Sequence, residues 1–265
     1  MGRSGRVSIA LETNGVGCIG FLVELPGAFV RGRTEQEALS KAGPEAASYL
    51  SWLGVVPETF DFAVIQRHTS SLTVQDADNE ILLEADAGEM DGEEFAELVR
   101  LVRLSGQTFL ALYAGSELKD WVDRARIRKT FYGRNPSTIR EVFDHVNGTQ
   151  YYYLARTGIV PGRGVGDFGP RRELCIRKVE ELYHQRGNSR VWQADGESWT
   201  LKKMLRRFVW HDRIHGKAIV RMLRSQKEQN LISGYRDPFC FALPERHGSG
   251  VSGGGDRGPS ALALT

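Results

Sequence analysis

The stretch "SWTLKKMLRRFVWHDRIHGKAIVRMLRSQ", residues 198–226, decides how the second half of the chain folds. Leu201, Leu205, Phe208, His211, His215 and Met222 recur at spacings of three, four and seven, the repeat of one face of an α-helix. Ser198 stands where a helix cap is expected. Both histidines therefore point where the apolar stripe points. Imidazoles at i and i+4 reach one small cation, but two ligands hold a metal poorly. Taken alone, the pair reads as a metal site or as two hydrogen-bonded helical histidines.

Upstream, the pattern gives three more helices. "GEEFAELVRLVRLSGQTFLALYAG" (92–115) presents a broad apolar face through Phe95, Leu98, Val99, Val102 and Leu112. "PSTIREVFDHVNGTQYYYLARTG" (136–158) starts with Pro136, suited to a first helical turn, and carries His145. "RRELCIRKVEELYHQRG" (171–187) reads as a shorter helix. Four helices in a row predict an all-α four-helix up-down bundle over 91–243. Facing helices of such a bundle bring distant side chains to one point, so His145, His211 and His215 form one candidate set.

The first ninety residues read differently. "RVSIALE", "GCIGFLVELP", "AFVRG", "DFAVIQRH" and "EILLEAD" are β-rich runs, with Asn14-Gly15 and Pro26-Gly27 as turn signals. Thr34 with Glu37 three residues on is a capping-box pattern, and Gly43-Pro44 interrupts the helix that follows. The expectation is an α+β module over 1–90, a small antiparallel sheet plus helix. The tail 244–265, rich in Gly and Ser, is expected to be disordered.

Composition bounds the function classes. With 41% hydrophobic and 26% charged residues the chain has an ordinary globular balance. No apolar run approaches the ~20 residues of a membrane span, and the N-terminus lacks a secretory apolar region. Three scattered cysteines suggest neither a disulfide framework nor a cysteine metal site. A cytoplasmic protein is expected. Residues 1–118 carry 8 basic against 18 acidic side chains, and residues 119–236 carry 25 against 12. Either the halves attract each other, or the basic half meets an anionic ligand or nucleic acid. Nucleic-acid binding rests on charge alone and would show a steep salt dependence.

The string "GFLVELPGAFVRGRTEQEAL" (20–39), with the alanine-rich helix after it, resembles the HicB-like antitoxin family over about residues 6–85. The usual DNA-binding segment after that module is missing. The run W-T-L-x-x-M-L-x-x-x-x-W-H-x-x-x-H (199–215), with His145 and the closing "GYRDPF", resembles the DinB/YfiT-like superfamily over about 92–243. That resemblance implies a divalent ion, zinc or nickel by ligand preference, held by His145, His211 and His215. It further implies a thiol transferase or hydrolase acting on a small electrophilic substrate, with a low-molecular-weight thiol as cosubstrate. Both resemblances imply a homodimer. The alternative is a non-enzymatic partner-binding protein whose ion is structural.

Other residues are read as bystanders. Arg206, Arg207 and Arg213 are expected on the solvated back of their helix, or to attract the carboxylates of an anionic cosubstrate. Asp144 and Asp212 adjoin proposed ligands but point some 100° away, and a surface position is expected for both. Cys175 is expected to be inert packing. "GRGVGDFG" (162–169) lacks the Walker lysine and reads as a plain loop. No catalytic residue beyond the metal ligands stands out.

Overall fold

A computed structural model describes residues 5–56, 59–160 and 166–243 of the chain. Strand β1 (Gly5–Thr13) pairs antiparallel with β2 (Cys18–Leu22), which pairs antiparallel with β3 (Phe29–Gly32). Helices α1 (Glu35–Leu39) and α2 (Ala42–Trp52) follow, and β4 (Phe60–Thr69) returns parallel to β1. The sheet order is β3-β2-β1-β4. It is therefore a mixed sheet, because the helical crossover brings β4 back in the direction of β1.

All five residues of β2 are buried, since both faces of the sheet are covered. Val7, Ile9, Leu11 and Val30 face α1 and α2. Ala10, Ile19, Phe21 and Phe29 face Val74, Ile81, Leu83 and Trp210. The segment "EILLEAD", expected as a strand, instead runs extended without a strand partner into the short helix α3 (Glu84–Ala87). The carboxylate of Glu12 accepts the backbone N–H groups of Glu80 and Ile81, so a side chain takes the place of a ladder there.

Four longer helices follow: α4 (Gly92–Ala114), α5 (Ile139–Ala155), α6 (Phe168–Arg186) and α7 (Leu201–Glu228). They do not form the all-α up-down bundle that the sequence predicts. Two hairpins interrupt them, β5 (Lys129–Thr130) with β6 (Gly133–Arg134), and β7 (Trp192–Ala194) with β8 (Glu197–Trp199). Helix α7 is 28 residues long, about 42 Å at 1.5 Å per residue, and is buried on more than one side. One flank packs on α4 and α5 and another on the sheet, so the fold is mixed α/β with a shared central helix.

Local chemistry explains the boundaries. Helix α5 starts after Thr138, so Pro136 lies before the helix rather than in its first turn; the Thr138 hydroxyl accepts from Glu141 N–H while the Glu141 carboxylate accepts from Thr138 N–H. The Thr200 hydroxyl caps α7 by accepting from Lys203 N–H, and Ser198 lies in β8 instead. Thr34 accepts from Glu37 N–H, but the Glu37 carboxylate reaches back to Arg33 N–H. Gly27, at φ +90°, lets the turn after β2 sit on α7: a Cβ there would lie 2.5 Å from the Val209 side chain. The tail 244–265 and residues 162–165 of the glycine-rich loop lie outside the described residues. Among the described residues no helix is long and apolar enough to cross a membrane.

Candidate metal centre

Helix α5 presents His145 and helix α7 presents His211 and His215, one turn apart. The three rings meet. His211 Nε2 and His145 Nε2 are 3.3 Å apart, and ring centroids stand 4.4 Å (His211–His215), 4.7 Å (His145–His215) and 5.2 Å (His145–His211) from each other. One ring nitrogen from each lies within 4.8 Å of the others. Two nitrogens bound 2.0–2.1 Å from one tetrahedral zinc would stand about 3.3–3.4 Å apart. The closest pair has that spacing, which a single N–H···N hydrogen bond also fits, and the third ring supplies a nitrogen within 4.8 Å of both.

Protonation favours ligation. Burial holds His145 below its ordinary imidazole pKa. Burial first, and then the charge of neighbouring imidazoles, holds His211 and His215 well below it. Neutral rings keep a lone pair free for a metal. Tyr132 stacks on His145 at 5.4 Å, and Tyr153 meets His211 edge-on at 5.5 Å.

The triad lines a cavity of about 1210 Å³ between the sheet and the helices. Trp199, Trp210 and Tyr153 contribute one wall, Phe131 and Tyr132 another, and Phe29 and Arg31 of β3 a third. The sheet thus forms part of the site. No local pattern announces this role, because Arg31 is a lone charge in a β-run.

The three arginines expected on the solvated back of α7 do not lie there. Arg206, Arg207 and Arg213 are 6%, 9% and 0% exposed, respectively. Arg206 lies 3.1 Å from Asp86, Arg207 bonds Glu197 at 2.8 Å, and Arg213 bonds Glu45 at 2.8 Å. Glu45 and Asp86 belong to the acidic first half, so here the charge asymmetry is spent on intramolecular attraction.

Asp212 is likewise buried rather than on the surface, while Asp144 is exposed at the cavity edge. The Asp212 carboxylate accepts from Arg172 and Ser105, on the side of α7 away from the imidazoles. Cys175 is fully buried, its thiol pushed up to about 11 by burial, as inert packing requires. Of the tyrosine run, Tyr153 is buried and Tyr152 is exposed.

Glu12, His68 and Glu80 also bring three ligand atoms within 4.8 Å. Both Glu12 oxygens already accept backbone N–H groups, so the cluster reads as a structural tie.

Comparison with known proteins finds no matching family model, no matching curated protein and no matching solved structure.

Proposed function

We propose that the chain is a divalent-metal-dependent enzyme, a thiol transferase or hydrolase acting on a small electrophilic substrate inside the central cavity. One observation carries this reading: three neutral imidazoles from two helices converge at the wall of a cavity large enough for a substrate and a cosubstrate. The resemblance of 199–215 and His145 to DinB/YfiT-like sequences points the same way.

His145, His211 and His215 are the ligands, and an imidazole set suits zinc or nickel. Three protein ligands leave a coordination position open, as catalytic rather than structural zinc sites do. A bound ion supplies Lewis acidity and lowers the pKa of a water or thiol beside it. The chain itself orients and encloses. Tyr132 covers His145, and Trp210 and Tyr153 exclude water from the His211 side. We place the protein in the cytoplasm, a reading supported by the unpaired thiols of Cys18, Cys175 and Cys240.

The test is elemental analysis of protein purified without a histidine tag, followed by a screen of electrophiles with several cellular thiols. About one divalent ion per chain is expected, with its loss in His211→Ala. Full metal content in that variant overturns the assignment. A metal-loaded protein inert to every thiol and water substrate would leave the ion a structural role only.

A further inference from the structure

The end of the cavity lined by β3 and by the connector before β5 is cationic. Arg31, Arg126, Arg128 and Arg221 all line it. Arg31 shares a sheet face with Phe29, two residues back, and that face looks towards α7. Arg126 sits in a single 3-10 turn, Arg124–Arg126, where its Nε donates to the Pro136 carbonyl at 3.0 Å.

Five acidic residues line the cavity, of which Asp144 is exposed and Asp78 accepts the Thr73 N–H. Glu45 holds Arg213 and Lys217, Glu197 holds Lys203 and Arg207, and Asp76 bonds Arg128. Asp123 accepts the Ala125 N–H and stands nearest to Arg126 in charge terms. Among the described residues, neither Arg31 nor Arg126 has a carboxylate within ion-pair distance, whereas Arg206, Arg207 and Arg213 each have one.

Assembling guanidiniums with so few carboxylates is unfavourable in the unliganded protein. Burial, followed by the neighbouring Arg221 and Arg128, pushes the Arg31 pKa down to about 10, which leaves it charged at neutral pH. Arg31, Arg126 and the three imidazoles line the same cavity, so the cationic end and the imidazoles belong to one space. Arg31 and Arg126 both lie in the field of Arg128 and Arg221, and an oxyanion held by the pair would relieve that repulsion and gain charge-assisted hydrogen bonds.

We propose that the cavity is a two-ended site for a small organic carboxylate. Arg31 and Arg126 hold its acidic group, its body lies along Phe131 and Tyr132, and its other end reaches the three imidazoles. This rests on reading the triad as a metal centre, but the acid-binding end makes a separate claim. It gives the sheet a role as the substrate-selecting wall of the site.

The experiment uses the full chain after EDTA treatment, so that a carboxylate gains nothing by ligating a metal. Phenylacetate and its neutral isostere phenylacetamide are titrated by calorimetry, with tryptophan fluorescence as a second signal, since Trp199 and Trp210 line the cavity. Wild type should bind the acid at least about tenfold more tightly than the amide. Arg31→Gln with Arg126→Gln should bring that ratio close to one, and Arg31→Lys with Arg126→Lys should restore part of it. If the double glutamine variant does not fold by circular dichroism, Arg126→Gln alone should lower the ratio at least threefold.

Equal binding of acid and amide by wild type, no binding of either, or an unchanged ratio in the glutamine variants overturns the proposal. His211→Ala should lose its metal by elemental analysis, which tests the metal reading separately from the acid-to-amide ratio. A wild type that holds no zinc yet prefers the acid removes the metal reading and leaves the acid-binding end standing.

Discussion

Arg172 and Asp212 form a bidentate pair at 2.8 and 2.9 Å in the interior of the molecule, one residue from His211 in sequence. Arg172 also donates to Gln150 Oε1 at 2.7 Å and to the Val102 carbonyl at 3.0 Å, while Ser105 donates to Asp212 at 2.6 Å. One network thus ties α4, α5, α6 and α7 together behind the imidazoles. Its members are satisfied, the condition under which a buried polar network rigidifies a fold rather than weakening it. The rotation of α7, and with it the aim of His211 and His215, is held from behind.

Arg172→Met should destabilise the protein by about 3–5 kcal/mol, because it strands a buried carboxylate. Arg172→Met with Asp212→Leu should cost clearly less than the two single changes added together, since no uncompensated charge remains. Urea unfolding of the four proteins measures the coupling. Additive losses would show that the two groups do not act as a pair.

Gly27 meets Val209 at the contact between the sheet and α7. Gly27→Ala carries two costs there, a φ of +90° and a Cβ 2.5 Å from Val209. The loss should exceed about 1 kcal/mol. Adding Val209→Ala should recover the steric part and leave the backbone part. Thermal midpoints of the three variants separate the two, and a neutral Gly27→Ala would contradict the close approach.

Legibility in the sequence follows the range of the interactions. Period-3.6 stripes and turn residues reveal α4, α5, α6, α7 and β1–β4, because those signals are local. His145, His211 and His215 were readable as one set because helical spacing aligns two of them and the third lies on another helix. Partners distant in sequence left no mark. Arg206, Arg207 and Arg213 have the spacing of a solvated helix face, yet Asp86, Glu197 and Glu45 bury them. "EILLEAD" has strand composition, but side chains take the place of a strand partner: Glu12 accepts the N–H groups of Glu80 and Ile81, and the Gln66 amide bonds Leu82 O and Glu84 N–H. The β5–β6 and β7–β8 hairpins were missed because strands of two or three residues are too short for a period-2 pattern.

Glu45 gives a pH dependence with a definite sign. Burial raises its pKa, but Arg213 and Lys217 outweigh that, so the folded value lies below the ordinary glutamate value. As pH falls below about 4.3 the unfolded chain takes up the proton first. The contribution of the pair is therefore present above that pH and is lost as pH falls through the folded value. Glu45→Gln should cost about 3–5 kcal/mol at pH 7 by stranding Arg213. The gap to wild type should narrow as pH is lowered towards 3. A gap independent of pH would mean that the charge on Glu45 contributes nothing.

Metal removal gives the last prediction, and it separates a loose site from a built one. An ion that binds only the folded chain stabilises it by RT ln(1 + [L]/Kd), about 2.7 kcal/mol at a free concentration of 100 Kd. For a chain of this size that corresponds to a rise in unfolding midpoint of roughly 5–10 °C. Zinc added to EDTA-treated wild type should produce such a shift, and His145→Ala, His211→Ala and His215→Ala should each lose most of it. His145→Ala is the informative variant, because it tests whether α5 truly closes the set that α7 begins. If only the two α7 variants lost the shift, the ion would sit on the i, i+4 pair alone. The 3.3 Å approach of His145 to His211 would then be a hydrogen bond between neutral rings.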